Sequence, residues 1–257
     1  MRYAKGTLVV SRERDIPLLR QVRNSKFITH SQLFEFMRVG GFDHDRDSFN
    51  WRLRRLVKSA HLVACPEVNG AGSAVYRITK KGLNLLEHYG EYATALSSST
   101  EHLPHPSSAF HAIELNEINL SLARKNVLAS WQWDIEIASF NTISPCPFQK
   151  DYDAIVAVWL GDRQARFALE YERSLKKARD YDKIRVALEA EQEIDCILYL
   201  TSGPEVMVSL IQALGSVGKK VAFAPARSFE ATLLDTSVVC PGSAPEVFRE
   251  LLETRCA

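Results

Sequence analysis

Cysteine is scarce and scattered. None of Cys65, Cys146, Cys196, Cys240 and Cys256 pairs with another at zinc-ligand or redox spacing. That excludes a disulfide scaffold and points to reduced thiols in a cytoplasm. Long apolar runs are missing: stretches such as Ala154–Leu160 fall far short of a bilayer span, so no membrane partner is expected. No secretory signal or internal repeat is apparent. No glycine-rich phosphate loop is present, which leaves a regulator that senses a small molecule without a motif. Charge of one sign is lacking as well, with 32 Lys+Arg against 31 Asp+Glu, a net of +1. Charged residues at 25% and hydrophobic residues at 46% exclude disorder and collagen.

The balanced total hides an asymmetry. Residues 1–90 hold 16 Lys+Arg and 8 Asp+Glu, whereas residues 91–257 hold 16 and 23. A basic part suited to a polyanion is joined to an acidic one.

In the basic part, a helix is predicted over residues 15–23, with Pro17 in the first turn, where a missing N–H costs little. A second covers residues 30–39. Thr29 and Gln32 have capping-box spacing, Leu33, Phe36 and Met37 form its apolar stripe, and Gly40-Gly41 ends it. A third, capped by Asp47 or Ser48, runs to about residue 59. Phe49, Leu53, Leu56 and Ala60 fall at helical spacing and should face the core. Asn50, Arg52, Arg54, Arg55 and Lys58 are then left to the surface, with Trp51 near the start. Guanidinium groups there suit phosphates and guanine edges, and a solvated basic face is the plain alternative. Strands at residues 62–67 and 74–78 flank a turn-rich tip at 68–73. Thr79 opens another helix, to about residue 89, whose Lys80 and Lys81 favour a phosphate backbone. Three helices and a ribbon make a winged-helix DNA-binding domain over residues 12–90.

The segments THSQLFEFM, NWRLRRLVKSAHLV and AVYRITKKG resemble the winged-helix half of replication-relaxation-type plasmid proteins. The resemblance implies double-stranded DNA as partner and a role in transcription or in plasmid or mobile-element replication control.

A Ser/Pro-rich linker is expected over residues 91–107. Its His102 and His105 sit in too polar a segment to be read as metal ligands. An α/β domain follows over residues 108–240, with a helical tail at 241–257. The pattern gives a helix (111–129), strands (131–140, 153–160, 163–172), a helix (175–190), a strand (196–201), a helix (205–217) and a strand (220–224). This α-β-β-β-α-β-α-β order suits a mixed sheet covered by helices, and the chain as a whole is α+β / α/β. Trp131 and Trp133 alternate on one strand face as core, and Tyr171 and Tyr181 are read as packing.

Gly161-Asp162 is a two-residue hairpin turn. If Leu160 pairs with Arg163, Asp153 faces Glu170 and Asp151 faces Glu172. Carboxylates gathered at one hairpin end need a counter-charge: a divalent cation or a nearby Lys or Arg. Magnesium suits such hard oxygen donors and could activate water for phosphodiester cleavage. Glu114, one helical turn after His111, could add another carboxylate, or simply lie on an exposed helix face.

Asp153 followed by Glu170-Tyr171-Glu172 resembles the PD-(D/E)XK nuclease motif, in a similar element order. The resemblance implies metal ligands Asp153, Glu170 and Glu172. It also marks a departure, because the motif has lysine where this chain has Glu172. Arg173 points to the opposite face, but Lys176 or Lys177 could reach back to the carboxylates. Lys176 would then complete a catalytic set or neutralise an inactive one. Two functions stay open: a homodimeric DNA-binding regulator with a degenerate nuclease-like domain, and a magnesium-dependent DNA endonuclease targeted by the winged helix.

Overall fold

The computed structural model describes residues 9–68, 70–94, 105 and 108–254. The chain forms two compact units, one ending at Asn116 and the other starting at Glu117. Among the described residues no helix is long and apolar enough to cross a membrane. Most of the expected linker, with His102, and the last three residues, with Cys256, lie outside the described residues.

The first unit holds α1 (Asp15–Ser25), β1 (Ile28–Thr29), α2 (His30–Val39), α3 (Arg46–Lys58), β2 (Leu62–Ala64), β3 (Val75–Ile78), α4 (Lys80–His88) and the start of α5 (Ala109–Arg124). Its strands form an antiparallel sheet in the order β1-β3-β2. The ribbon expected from β2 and β3 thus gains a third strand, too short to read from pattern.

The expected capping box closes α2. Thr29 Oγ1 accepts the Gln32 amide at 3.2 Å, and Gln32 Oε1 accepts the Thr29 amide at 3.3 Å. The α3 cap differs from expectation. Asp45, not Asp47 or Ser48, accepts the Ser48 amide at 2.7 Å, so the helix starts earlier. Phe49, Leu53 and Leu56 face the core with Leu18, Leu19, Val22, Leu33 and Met37. Ala60 does not: α3 has ended, and Ala60 is exposed at φ +59°.

The threonine–glycine turn into α4 has a steric cause. The Thr79 hydroxyl donates to the Ala60 carbonyl at 2.7 Å and accepts the Gly82 amide at 3.1 Å. A Cβ at position 82 would sit 2.4 Å from the His61 carbonyl oxygen, so only glycine lets the helix lie that close. The first half of α5 packs in this unit. Gln32 Nε2 donates to the Ile113 carbonyl at 2.8 Å and Asn116 Nδ2 to the Phe27 carbonyl at 2.9 Å, beside a cluster of Phe27, Cys65, Val68, Val75, Ala109 and Ala112.

The second unit is built on a five-stranded mixed sheet, order β4-β5-β6-β7-β8, covered by helices. These are β4 (Leu128–Trp133), β5 (Ala154–Leu160), β6 (Arg163–Glu172), β7 (Cys196–Thr201) and β8 (Lys220–Pro225). β4, β5 and β6 run antiparallel in turn, and β6, β7 and β8 run parallel. The parallel strands are joined by α7 (Ala178–Ala190) and α8 (Pro204–Leu214), which cover Tyr152, Ile155, Ile197, Tyr199 and Phe223.

One expected element changes type. The strand read over residues 131–140 stops at Trp133, and α6 (Asp134–Ile143) follows. The buried Ile135 and Ile137 alternate as strand residues do, which misleads the pattern. The helix signal lies instead in Asp134 and Glu136 in its first turn, where Glu136 accepts the Trp133 amide at 2.9 Å. Trp133 itself is buried, and Trp131 packs at 5.5 Å from it between ring centroids. After β8, α9 (Ala226–Thr232) and a 3-10 turn lead to β9 (Ser237–Val238), and the described part of the expected tail holds β10 (Glu246–Val247) and α10 (Phe248–Glu253).

Candidate nucleic-acid interface and carboxylate hairpin

The arginines of α3 divide into two groups. Arg54 and Lys58 are exposed, as is Trp51, at 61%. Arg52 is buried, with 4% of its surface exposed. It lies three residues after Phe49 and four before Leu56, on the inward stripe. Its Nε and Nη2 donate to Asp43 at 3.2 and 3.3 Å, and its Nη1 donates to Asp15 at 3.4 Å. Both carboxylates are fully buried, and Arg14 and Arg55 complete the cluster by pairing with Asp43 and Asp15. Buried aspartates need a cation, so Arg52 serves the fold and is not on the surface expected for it. Arg55 is half-buried between Asp15 and the Val9 carbonyl, and its guanidinium lies 4.9 Å from the Trp51 ring centroid.

Asn50, Arg54 and Lys58 line one side of a groove of about 490 Å³, with Leu53 and Val57; His30, Ala64 and Tyr76 complete its wall. Asn50 Oδ1 lies 2.9 Å from His30 Nε2. Burial holds the His30 imidazole below the usual histidine range; the Asn50 bond opposes this, and Arg46 adds to it. A neutral ring that carries its proton on Nε2 donates to Asn50 Oδ1 and leaves the Asn50 amide N–H groups for the groove. The groove thus combines an apolar floor with one amide and two cations.

Lys80 and Lys81 stand exposed at the start of α4, and Lys81 Nζ donates to the Ser59 carbonyl at 2.9 Å, just past α3. Sequence pattern missed His30 and Tyr76 as groove residues. They come from β3 and the first position of α2, and only the sheet pairing Ile28↔Tyr76 brings those segments together.

In the second unit the hairpin register is the expected one, from Leu160↔Arg163 to Ala154↔Leu169. It carries Asp153 to the end of β5 and leaves Glu170 and Glu172 on β6. Asp153 Oδ2 accepts the Tyr171 amide at 2.8 Å. Lys176 pairs with Glu172, as its spacing allowed. A second lysine was not foreseen: Lys150 pairs with the buried Glu170, and its ammonium lies 5.0 Å from the Tyr152 ring centroid. Burial pushes the Glu170 carboxyl above the usual range and outweighs the Lys150 charge; Asp153 adds to the rise. Burial also lowers the Lys176 ammonium, against the pull of Glu170. Asp151 bonds to Asn141 at 2.7 Å instead of joining the cluster. Tyr181 does more than pack, because its hydroxyl accepts the Lys176 amide at 3.0 Å. His111 and Glu114 belong to the part of α5 in the first unit.

This donor set fits a divalent cation poorly. Glu170 and Glu172 each carry an ammonium group already, and among the described residues no three His, Cys, Asp or Glu side chains are grouped to hold a metal ion. Lysine is present as one of the two counter-charges the register calls for.

No curated protein and no solved structure matches the chain. A match to the family described as Replication-relaxation covers residues 19–192. Those limits take in α2, α3, the three-stranded sheet and the whole β5–β6 hairpin with α7, and therefore every candidate residue named above from Asn50 to Lys176. Because the match spans more than half of the 257 residues, the chain belongs to the replication-relaxation family.

Proposed function

We propose that this protein is a DNA-binding regulator of replication or mobile-element maintenance. In this reading the first unit is a winged helix that lays α3 against double-stranded DNA. The second unit is a nuclease-like core that serves assembly, with a symmetric dimer matching paired half-sites. Family membership supports the process. The single observation that carries the DNA contact is the groove beside α3, where Asn50, Arg54 and Lys58 face outward over an apolar floor.

Two phosphate contacts set the expected effect. Arg54→Ala/Lys58→Ala should weaken binding to duplex DNA and reduce the slope of log K against log salt by about 2. Binding titrations between about 50 and 200 mM salt read it. An unchanged slope with unchanged affinity would sink the interface.

The endonuclease reading rests on the register Ala154↔Leu169, which, continued by one residue, would set Asp153 across from Glu170. The lysines on both glutamates weigh against it, so plasmid DNA incubated with magnesium or manganese is expected to stay uncut. Nicking that disappears in Asp153→Ala and in Glu170→Ala would establish the enzyme instead.

A further inference from the structure

We propose that the segment from Arg173 to Arg179 is a second contact surface for the phosphate backbone of double-stranded DNA. This rests on the DNA-binding reading above and adds a surface in the other unit. The sequence places negative charge at this end of the hairpin, since Asp153, Glu170 and Glu172 meet there. The folded arrangement reverses the sign of what faces solvent. Glu170 and Glu172 are buried, at 5% and 4% exposure, and each is answered by a lysine. The Asp153 carboxylate is turned to the Tyr171 amide. The following seven residues contain Arg173, Lys176, Lys177 and Arg179 and no acid, and every one of them is exposed.

Paired charges that lie close together cancel at a distance, whereas exposed cations set the outward potential. Arg173, Lys176, Lys177 and Arg179 stand against Glu172 and Asp180 at the two ends of the segment, so the segment is net positive. From Glu117 onward, however, Asp and Glu outnumber Lys and Arg. A polyanion is repelled by most of the unit and admitted at this segment. The backbone that carries the cations is held in place: Ser202 Oγ donates to the Arg173 carbonyl at 2.9 Å, and the Lys176 amide donates to Tyr181 at 3.0 Å. Asp180 lies 3.9 Å from Arg179, whose side chain is 75% exposed. An exposed pair that loose contributes little and leaves the cation available to a phosphate. Fixed, exposed guanidinium and ammonium groups are what phosphate positioning uses, without base readout.

The test uses the full chain and a random-sequence duplex of roughly three helical turns. Arg173→Ala/Lys177→Ala/Arg179→Ala should reduce the slope of log K against log salt by about 2–3 and weaken binding equally for all sequences. The double variant Lys177→Glu/Arg179→Glu, which leaves Arg173 in place, should weaken it further. Thermal melting of each variant checks that it is folded. Binding that persists with an unchanged slope in folded variants overturns this surface and leaves α3 as the interface. A wild-type chain without salt-dependent DNA affinity overturns both.

Discussion

Replacing Arg52 with alanine is expected to cost the first unit about 3–5 kcal/mol of stability, which would leave a small unit largely unfolded. The cost comes from what the arginine leaves behind. Asp15 and Asp43 are both fully buried, and among the described residues Arg52 alone donates to both. Arg14 and Arg55 remain as second partners, but both are partly exposed and each reaches only one aspartate. Removing one member of a buried ionic cluster strands charge in a low dielectric, and that outweighs the lost contacts. Arg52→Lys keeps the charge but not the planar fork that spans two carboxylates, so it should recover only part of the loss. Arg54→Ala, two residues away and exposed, should change stability by no more than about 0.5 kcal/mol. The two substitutions therefore separate fold from the proposed function on one helix: Arg52→Ala should lower stability, and Arg54→Ala should lower DNA affinity with stability kept. Hydrogen exchange of the α1–α3 amides, under denaturant, measures the first unit without averaging over the second. A loss below about 1 kcal/mol in Arg52→Ala would mean that the aspartates do not depend on it.

Arg52 also marks the limit of what pattern conveys. Helical spacing identified Phe49, Leu53 and Leu56 correctly, and the same wheel sets position 52 beside positions 49 and 56. Residue type, a guanidinium, argues for the surface and against that placement. The deciding facts are the burial of Asp15 and Asp43, which lie 37 and 9 residues before Arg52 and whose burial no periodicity reveals. Local signals fared better. Thr29 and Gln32 form their box because both partners lie within one turn. The hairpin register followed from a two-residue turn, in which Gly161 takes φ +63°. One residue of slip would have sent every side chain of the hairpin to the other face. The candidate hairpin site was therefore half legible. Asp153, Glu170 and Glu172 were placed by register; Lys176 or Lys177 was expected to reach back from the next helix, but α7 begins only at Ala178 and Lys176 pairs with Glu172 from the chain before it. Lys150 was not foreseen, because it sits before β5 in irregular chain, where neither period applies. The groove beside α3 was legible on its α3 side only, since His30 and Tyr76 reach it through a two-residue strand.

Lys150→Met is the corresponding experiment in the second unit. Glu170 is buried and its carboxyl already lies above the usual range, with Lys150 as the largest opposing influence. Removing that ammonium should raise it further and cost about 3 kcal/mol at pH 8, where an unpaired buried carboxylate must either stay charged or take up a proton. The direction of the pH dependence follows. A raised carboxyl holds its proton more tightly folded than unfolded, where it titrates at about 4.3. Between the unfolded and folded values the native state binds more protons, so stability falls as pH rises through that window. Below it the carboxyl is protonated in both states and the penalty is absent; above it the penalty is complete. In Lys150→Met the upper limit moves to higher pH, and the fall should be larger and extend further than in the parent chain. Adding Glu170→Gln should remove the excess pH dependence and recover stability, because the stranded charge is gone. Melting temperature against pH for the three proteins reads both effects. If Lys150→Met and the parent fell in parallel, Lys150 would not be the cation that answers Glu170. Lys176, which also attracts Glu170, would then carry that role alone. A parallel fall would return the hairpin to a set of one lysine and three carboxylates, the composition in which the endonuclease reading is strongest.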